Sequence, residues 1–213
     1  MIEKKGKSGR AVAVEALLKQ EQEGYSNLVL DATLKKFQLE AREAAFASAV
    51  FYGVLERKYT LNWMLQQCIK KPLEKLDAPV RAILQSGLYQ AVYLDSVPVS
   101  AAVNESVKLT RQFRKSSASG LVNAVLRKAV LIQPQNASFS NPMEKLSVRY
   151  SVSMPIAEHF WKWYGENANH ILEGFFEKPV LAVRVNTVKT TPQQLMESLQ
   201  TEGWQAVEGP IPN

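Results

Sequence analysis

Lys108, Arg111, Arg114, Lys115, Arg127 and Lys128 lie in a stretch, residues 106 to 143, that contains no aspartate or glutamate. These six cations equal the whole formal excess of the chain, +6. Solvated surfaces favour alternating signs, whereas one sign kept over this length favours a polyanion, and nucleic acid phosphates are the first candidate. A second cluster, Lys4, Lys5, Lys7 and Arg10, is offset only by Glu3. Asn104 and Asn123 interrupt apolar helical patterns close to the six cations. They read as polar clamps at the edge of a core that satisfy loop or hairpin backbone, with Arg127 one turn beyond Asn123.

Other chemistry finds little support. The ten glycines are scattered and build no phosphate cradle between a strand and a helix. His159 and His170 fall on different expected helices with no cysteine or carboxylate at ligand spacing, so each reads as a surface or packing histidine and no metal is expected. The single cysteine, Cys68, ends the apolar pattern LNWMLQQC and reads as a buried structural thiol. Trp161, Trp163, Phe175 and Phe176 have the rings to stack bases, but aromatics at helical spacing are read as core.

Around these residues, 213 positions with 46% hydrophobic content suffice for one large or two modest domains. No apolar run reaches the length of a membrane span and the first residues lack a secretory signal, so no membrane partner and a cytoplasmic location are expected. Residues 8 to 132 read as almost continuous helix. Ser8 and Ser26 are candidate caps, and Ala45, Ala49 and Tyr52 share a stripe in a long helical stretch that Gly53 or Lys58–Thr60 divides. Asp77 is expected to cap a helix with Pro79 in its first turn, whose wide apolar face suits the centre of a bundle. VPVSAAVNESVKLTRQF and SASGLVNAVLRKAVLI then form a helical hairpin joined by RKSS, with Leu121, Val122, Val125, Leu126 and Ala129 on one arc of the second arm. QPQNASFSNP, 133 to 142, reads as a linker. Beyond it come short helices, an alternating strand pattern VLAVRVNTV and a helix capped by Thr191. One strand leaves its ladder unpaired, so 143–213 reads as the incomplete start of a domain.

The hairpin carries AVNESV at 102–107 and LVNAVLR at 121–127, and in both it resembles the signature of the NusB-like fold. GRAVAVEALL resembles that fold's first helix, which follows a basic tail. The fold occurs in the free antitermination factors and at the N-terminus of bacterial rRNA cytosine-C5 methyltransferases of the Sun/Fmu type. LSVRYSVSMPIAEHFWKWYG and LAVRVNTVKTTPQQLMESLQTEGW resemble segments of the methyltransferases, although Ile156 and Ala157 stand where a tryptophan often follows the proline.

The resemblance implies an all-α NusB-like RNA-binding bundle over 1–132 and a small, truncated α/β segment over 143–213 that begins the methyltransferase subdomain. It implies small-subunit rRNA and the enzyme's own catalytic domain as partners, with the ten cations Lys4 to Arg10 and Lys108 to Lys128 on phosphates. S-adenosylmethionine is expected for the full-length enzyme. Neither its loop nor the catalytic cysteine pair appears, so the expectation is an N-terminal fragment without catalytic residues. A stand-alone antitermination-like RNA adaptor is the alternative, and an interdomain scaffold a third reading.

Overall fold

The structure is a computed structural model that describes residues 7–177 and 181–209. Within these it is built from eleven α-helices and short 3-10 turns, with no strand. The chain divides into two compact units, Met1–Phe175 and Phe176–Asn213.

In the first unit α1 (Gly9–Glu23) starts where the sequence places its cap: the Ser8 side chain accepts from the Ala11 N–H. α2 (Ser26–Phe37) incorporates Ser26 as its first residue, and the capping position falls on Tyr25, which makes no side-chain cap bond. The long Ala-rich stretch breaks at Arg57 into α3 (Ala41–Glu56) and α4 (Lys58–Gln66). Gly53 stays inside α3 because its missing Cβ admits the ring of Tyr89. Ala45, Ala49 and Tyr52, which share the expected stripe, are all exposed, while Val50, Phe51 and Val54 carry the inward face.

α5 (Ala78–Tyr93) is the centre of the bundle and packs on α1, α3 and α4, and on α6 (Val99–Gln112) and α7 (Ser119–Ala129). Its Val80, Ile83, Leu84 and Leu88 meet Leu61, Leu65 and Leu126 in one core, whose burial drives the assembly. Gln85 and Gln90 enter this core because both are paired: Gln85 Nε2 donates to Asn62 Oδ1 at 2.7 Å, and Gln90 Nε2 donates to the Ser86 carbonyl at 3.0 Å. Asp77 occupies the capping position of α5 but makes no cap bond.

The expected linker carries a 3-10 turn at Pro134–Asn136, and its Phe139 ring lies 5.5 Å from that of Trp63. Then α8 (Pro142–Tyr150), α9 (Met154–Tyr164) and α10 (Ala168–Glu173) close a small second core of Leu146, Val152, Ala157, Ala168 and Leu172. Thr60 Oγ1 donates to the Val148 carbonyl at 2.6 Å, so α8 is joined to α4. The compact unit therefore continues through Phe175, well past residue 142. Trp163 and Phe175, read as core from their spacing, are 65% and 58% exposed, while Trp161 packs against the small core.

In the second unit α11 (Pro192–Thr201) is closed by a capping box between Thr191 and Gln194. Of the expected strand, 180–188, Val180 lies outside the described residues, and in the rest residues 181–186 have no ladder, with Leu181 and Val183 exposed. Alternation and β-branching favour an extended backbone, but a strand needs a neighbour to take its hydrogen bonds.

Candidate nucleic-acid interface

The α6–α7 hairpin is fixed from within. Ser106 donates to the Ala102 carbonyl at 2.8 Å and sits against Gly87 of α5, where a Cβ would collide with its hydroxyl. Across the hairpin the hydroxyls of Thr110 and Ser119 share a hydrogen bond of 2.7 Å. With the apolar sides of both arms turned inward, Asn104, Lys108 and Arg111 follow each other at helical spacing on the outer face of α6. They and Ser119, Gly120 and Asn123 of α7 line one open groove. Asn123 Oδ1 accepts from Arg127 Nε at 3.0 Å, which extends the row by one turn. Asn123 thus spends its oxygen on a cation rather than on hairpin backbone, and Asn104 is exposed. Leu121, placed on the apolar arc, is 40% exposed, while Val122, Val125, Leu126 and Ala129 are buried.

The tip of the hairpin is a Schellman turn: Lys115 N–H donates to the Thr110 carbonyl at 2.7 Å and Arg114 N–H to that of Arg111 at 3.1 Å. Such a turn requires one left-handed residue, and here it is Arg114, with φ 57°. Glycine is favoured at this place, because an L side chain costs about 1–2 kcal/mol there. The chain instead carries an exposed arginine at the outermost corner of the hairpin.

The described cations do not all share one surface. Lys4 and Lys5 lie outside the described residues. Arg10 is built into the bundle, donating from Nε to Gln90 Oε1 at 2.7 Å and lying 4.7 Å from the Phe46 ring centroid. Lys7 pairs with Glu15, and its ammonium also stands 4.6 Å from the Phe37 ring and 5.9 Å from that of Phe113. Lys7 therefore meets the hairpin near its tip, since Phe113 immediately precedes Arg114. Lys36, which spacing did not single out, joins this site 3.3 Å from Glu15. Burial by itself raises the Glu15 carboxyl, but hydrogen bonds and charge from Lys7 and Lys36 outweigh it and hold the group below its ordinary range.

Three of the six hairpin cations are tempered by neighbours. Lys115 reaches Asp77 at 2.7 Å, Lys108 reaches Glu105 at 2.7 Å, and Arg127 is held by Asn123. Arg111, Arg114 and Lys128 have no carboxylate partner among the described residues. Burial pushes the Cys68 thiol up, and the charge of Lys128 partly draws it back. Arg111 and Arg114 at the tip and Lys128 on α7 are thus the exposed hairpin cations that no carboxylate or amide oxygen offsets among the described residues.

Among the described residues no helix is long and apolar enough to cross a membrane, and no cluster of potential ligands is suited to a metal ion. Comparison with known proteins adds two family matches, the NusB family over residues 7–130 and the RsmF/B-like methyltransferase ferredoxin-like domain over residues 156–213. A probable ribosomal RNA small subunit methyltransferase B of Synechocystis sp. is 32% identical over 83% of this chain and 40% of its own length. Its counterpart in Bacillus subtilis is 30% identical over 96% of this chain and 46% of its own length. The chain thus spans less than half of these relatives. The transcription antitermination protein NusB of Mesorhizobium japonicum is 31% identical over 56% of this chain. The crystal structure of PH0851 shares the fold with a TM-score of 0.64 at 16% identity, covering 95% of this chain and 46% of that one.

Proposed function

Because this chain belongs to the NusB family through residues 7–130, we propose that it is the RNA-holding part of a small-subunit rRNA cytosine-C5 methyltransferase of about twice its length. The observation that carries the reading is the groove of Asn104, Lys108, Arg111 and Asn123 with the strained, outward Arg114 at its end. These cations supply affinity and register, because phosphates carry no base identity. The target cytosine has to leave its stack to be modified, and a firmly held RNA limits the loss of affinity when it does. The stand-alone adaptor is the weaker alternative: relatives bearing the methyltransferase name align over 180 and 210 residues, well beyond the NusB match.

The full enzyme is expected to use S-adenosylmethionine, to dock its catalytic domain beside this unit and to act in the cytoplasm. The described residues do not fit the cofactor: no glycine-rich turn joins a strand to a helix, and the one cysteine belongs to the bundle. No chemical step is assigned to them.

The test is a salt titration of binding to a small-subunit rRNA fragment with Arg111→Glu/Arg114→Glu. Affinity falls about tenfold or more, and the slope of log K against log salt flattens by about 0.9 for each duplex phosphate that the variant no longer neutralises. Unchanged affinity and slope in a folded variant would reduce the tip to a solvated loop.

A further inference from the structure

A second groove lies away from the cationic hairpin face, between the C-terminal ends of α5, α7 and α8. Its floor and one wall are aliphatic: Val92 and Val99 are 38% and 44% exposed, and Leu131, just past α7, is 79% exposed. Arg57 and Arg149 also line it; Arg57 is shared with Glu56, 3.9 Å away, whereas Arg149 has no carboxylate partner among the described residues. Arg149 Nη2 donates to the Gln135 carbonyl at 2.8 Å, which fixes the guanidinium, while its Nε is buried with no acceptor. An arginine already fixed in position binds a carboxylate with little further loss of freedom.

We propose that this groove docks a protein segment presenting an aspartate or glutamate beside two or more aliphatic side chains. Charge complementarity selects an anion at Arg149, and exposed aliphatics grouped beside it select apolar side chains. A nucleotide would supply the anion but not the rest. Bases stack on aromatic faces, and both tyrosines of the groove are committed: Tyr93 lies 5.5 Å from Tyr89 at 24° and 5.1 Å from the Arg57 guanidinium, and Tyr150 packs against the small second core and donates its hydroxyl to Asn169 Oδ1 at 3.3 Å. Gln135 and Arg149 fall between the two family-matched segments, so the groove is not made by the NusB-like bundle alone. The inference does not rest on the RNA reading.

The experiment is panning of a random twelve-residue peptide phage library on the chain, with binding of enriched peptides measured by fluorescence anisotropy. The expected result is a consensus that places Asp or Glu within four residues of Leu, Ile or Val. Arg149→Gln and Leu131→Ser each weaken it at least tenfold with the circular dichroism spectrum and melting temperature retained, whereas Arg111→Glu leaves it unchanged. No consensus, or one indifferent to both groove substitutions, overturns the proposal. Competition by a twenty-nucleotide single-stranded RNA that requires Arg149 assigns the groove to RNA instead. A dimer in sedimentation that Leu131→Arg dissociates assigns it to a second copy, and the proposal fails in either case. Loss of RNA binding in Arg111→Glu/Arg114→Glu with intact peptide binding separates this inference from the functional reading above.

Discussion

Lys115 Nζ stands 2.7 Å from the carboxylate of Asp77, tying the tip of the α6–α7 hairpin to the first residue before α5. The aspartate that sequence assigns to capping is used for this tie, and the lysine assigned to phosphate is partly neutralised by it. Both side chains retain substantial contact with water, so the pair contributes about 0.2–1 kcal/mol at most.

Asp77→Asn separates a tie from a restrained RNA cation by sign. If Lys115 were an RNA ligand held back by Asp77, removing the negative charge would strengthen RNA binding. With Lys115 acting to hold Arg114 in place, Asp77→Asn instead weakens binding by about twofold, in line with loss of an exposed pair. Lys115→Ala gives a similar loss and Arg114→Ala a larger one, measured by anisotropy at fixed salt.

Gly87→Ala destabilises the bundle by about 1–3 kcal/mol, the usual cost of forcing a methyl group into a packed interior. The new Cβ would meet the Ser106 hydroxyl and, at 2.9 Å, Leu126 Cδ1. Adding Ser106→Ala removes the nearest obstacle, so the double variant recovers part of the loss. Urea denaturation of the four species of the cycle measures this coupling, and strict additivity would contradict it.

Glu15 makes the bundle sensitive to acid. Its folded carboxyl is held low by Lys7 and Lys36 against an opposing effect of burial, so its contribution is present above the unfolded value and fades as pH falls through the folded one. Thermal melts from pH 6 down to about 3, spanning the ordinary glutamate range near 4.3, show a steeper loss in the native chain than in Glu15→Gln.

Cys68 reacts slowly with iodoacetamide at pH 7.5. Burial raises its thiol, which lowers the thiolate fraction that attacks, while Lys128 works in the opposite direction. Lys128→Ala slows alkylation further, and a rate equal to that of a free cysteine would show the thiol to be open.

The helical bundle was legible because its periodicities are long and its caps local: Ser8 and Thr191 bond as their spacing requires. The arms bearing Asn104, Lys108, Arg111, Asn123 and Arg127 were equally legible, since helical spacing alone aligns residues three and four apart. The exposed rings of Trp163 and Phe175 were not, because periodicity marks an apolar face without saying whether anything covers it.

The sequence by itself determined an all-helical first unit, its hairpin and a stretch of one sign of charge. Only the tertiary structure decided which charges remain available. A stretch free of acids from 106 to 143 is so only along the chain; folding sets Asp77 against Lys115, brings Glu15 to Lys7 near the same tip, and leaves Arg111 and Arg114 without a carboxylate among the described residues. The same holds for the second groove, which Arg57, between α3 and α4, and Arg149 of α8 line together from positions far apart in sequence. Local pattern fixes the face of a helix, but Coulombic pairing depends on distance in space, and that is set by packing.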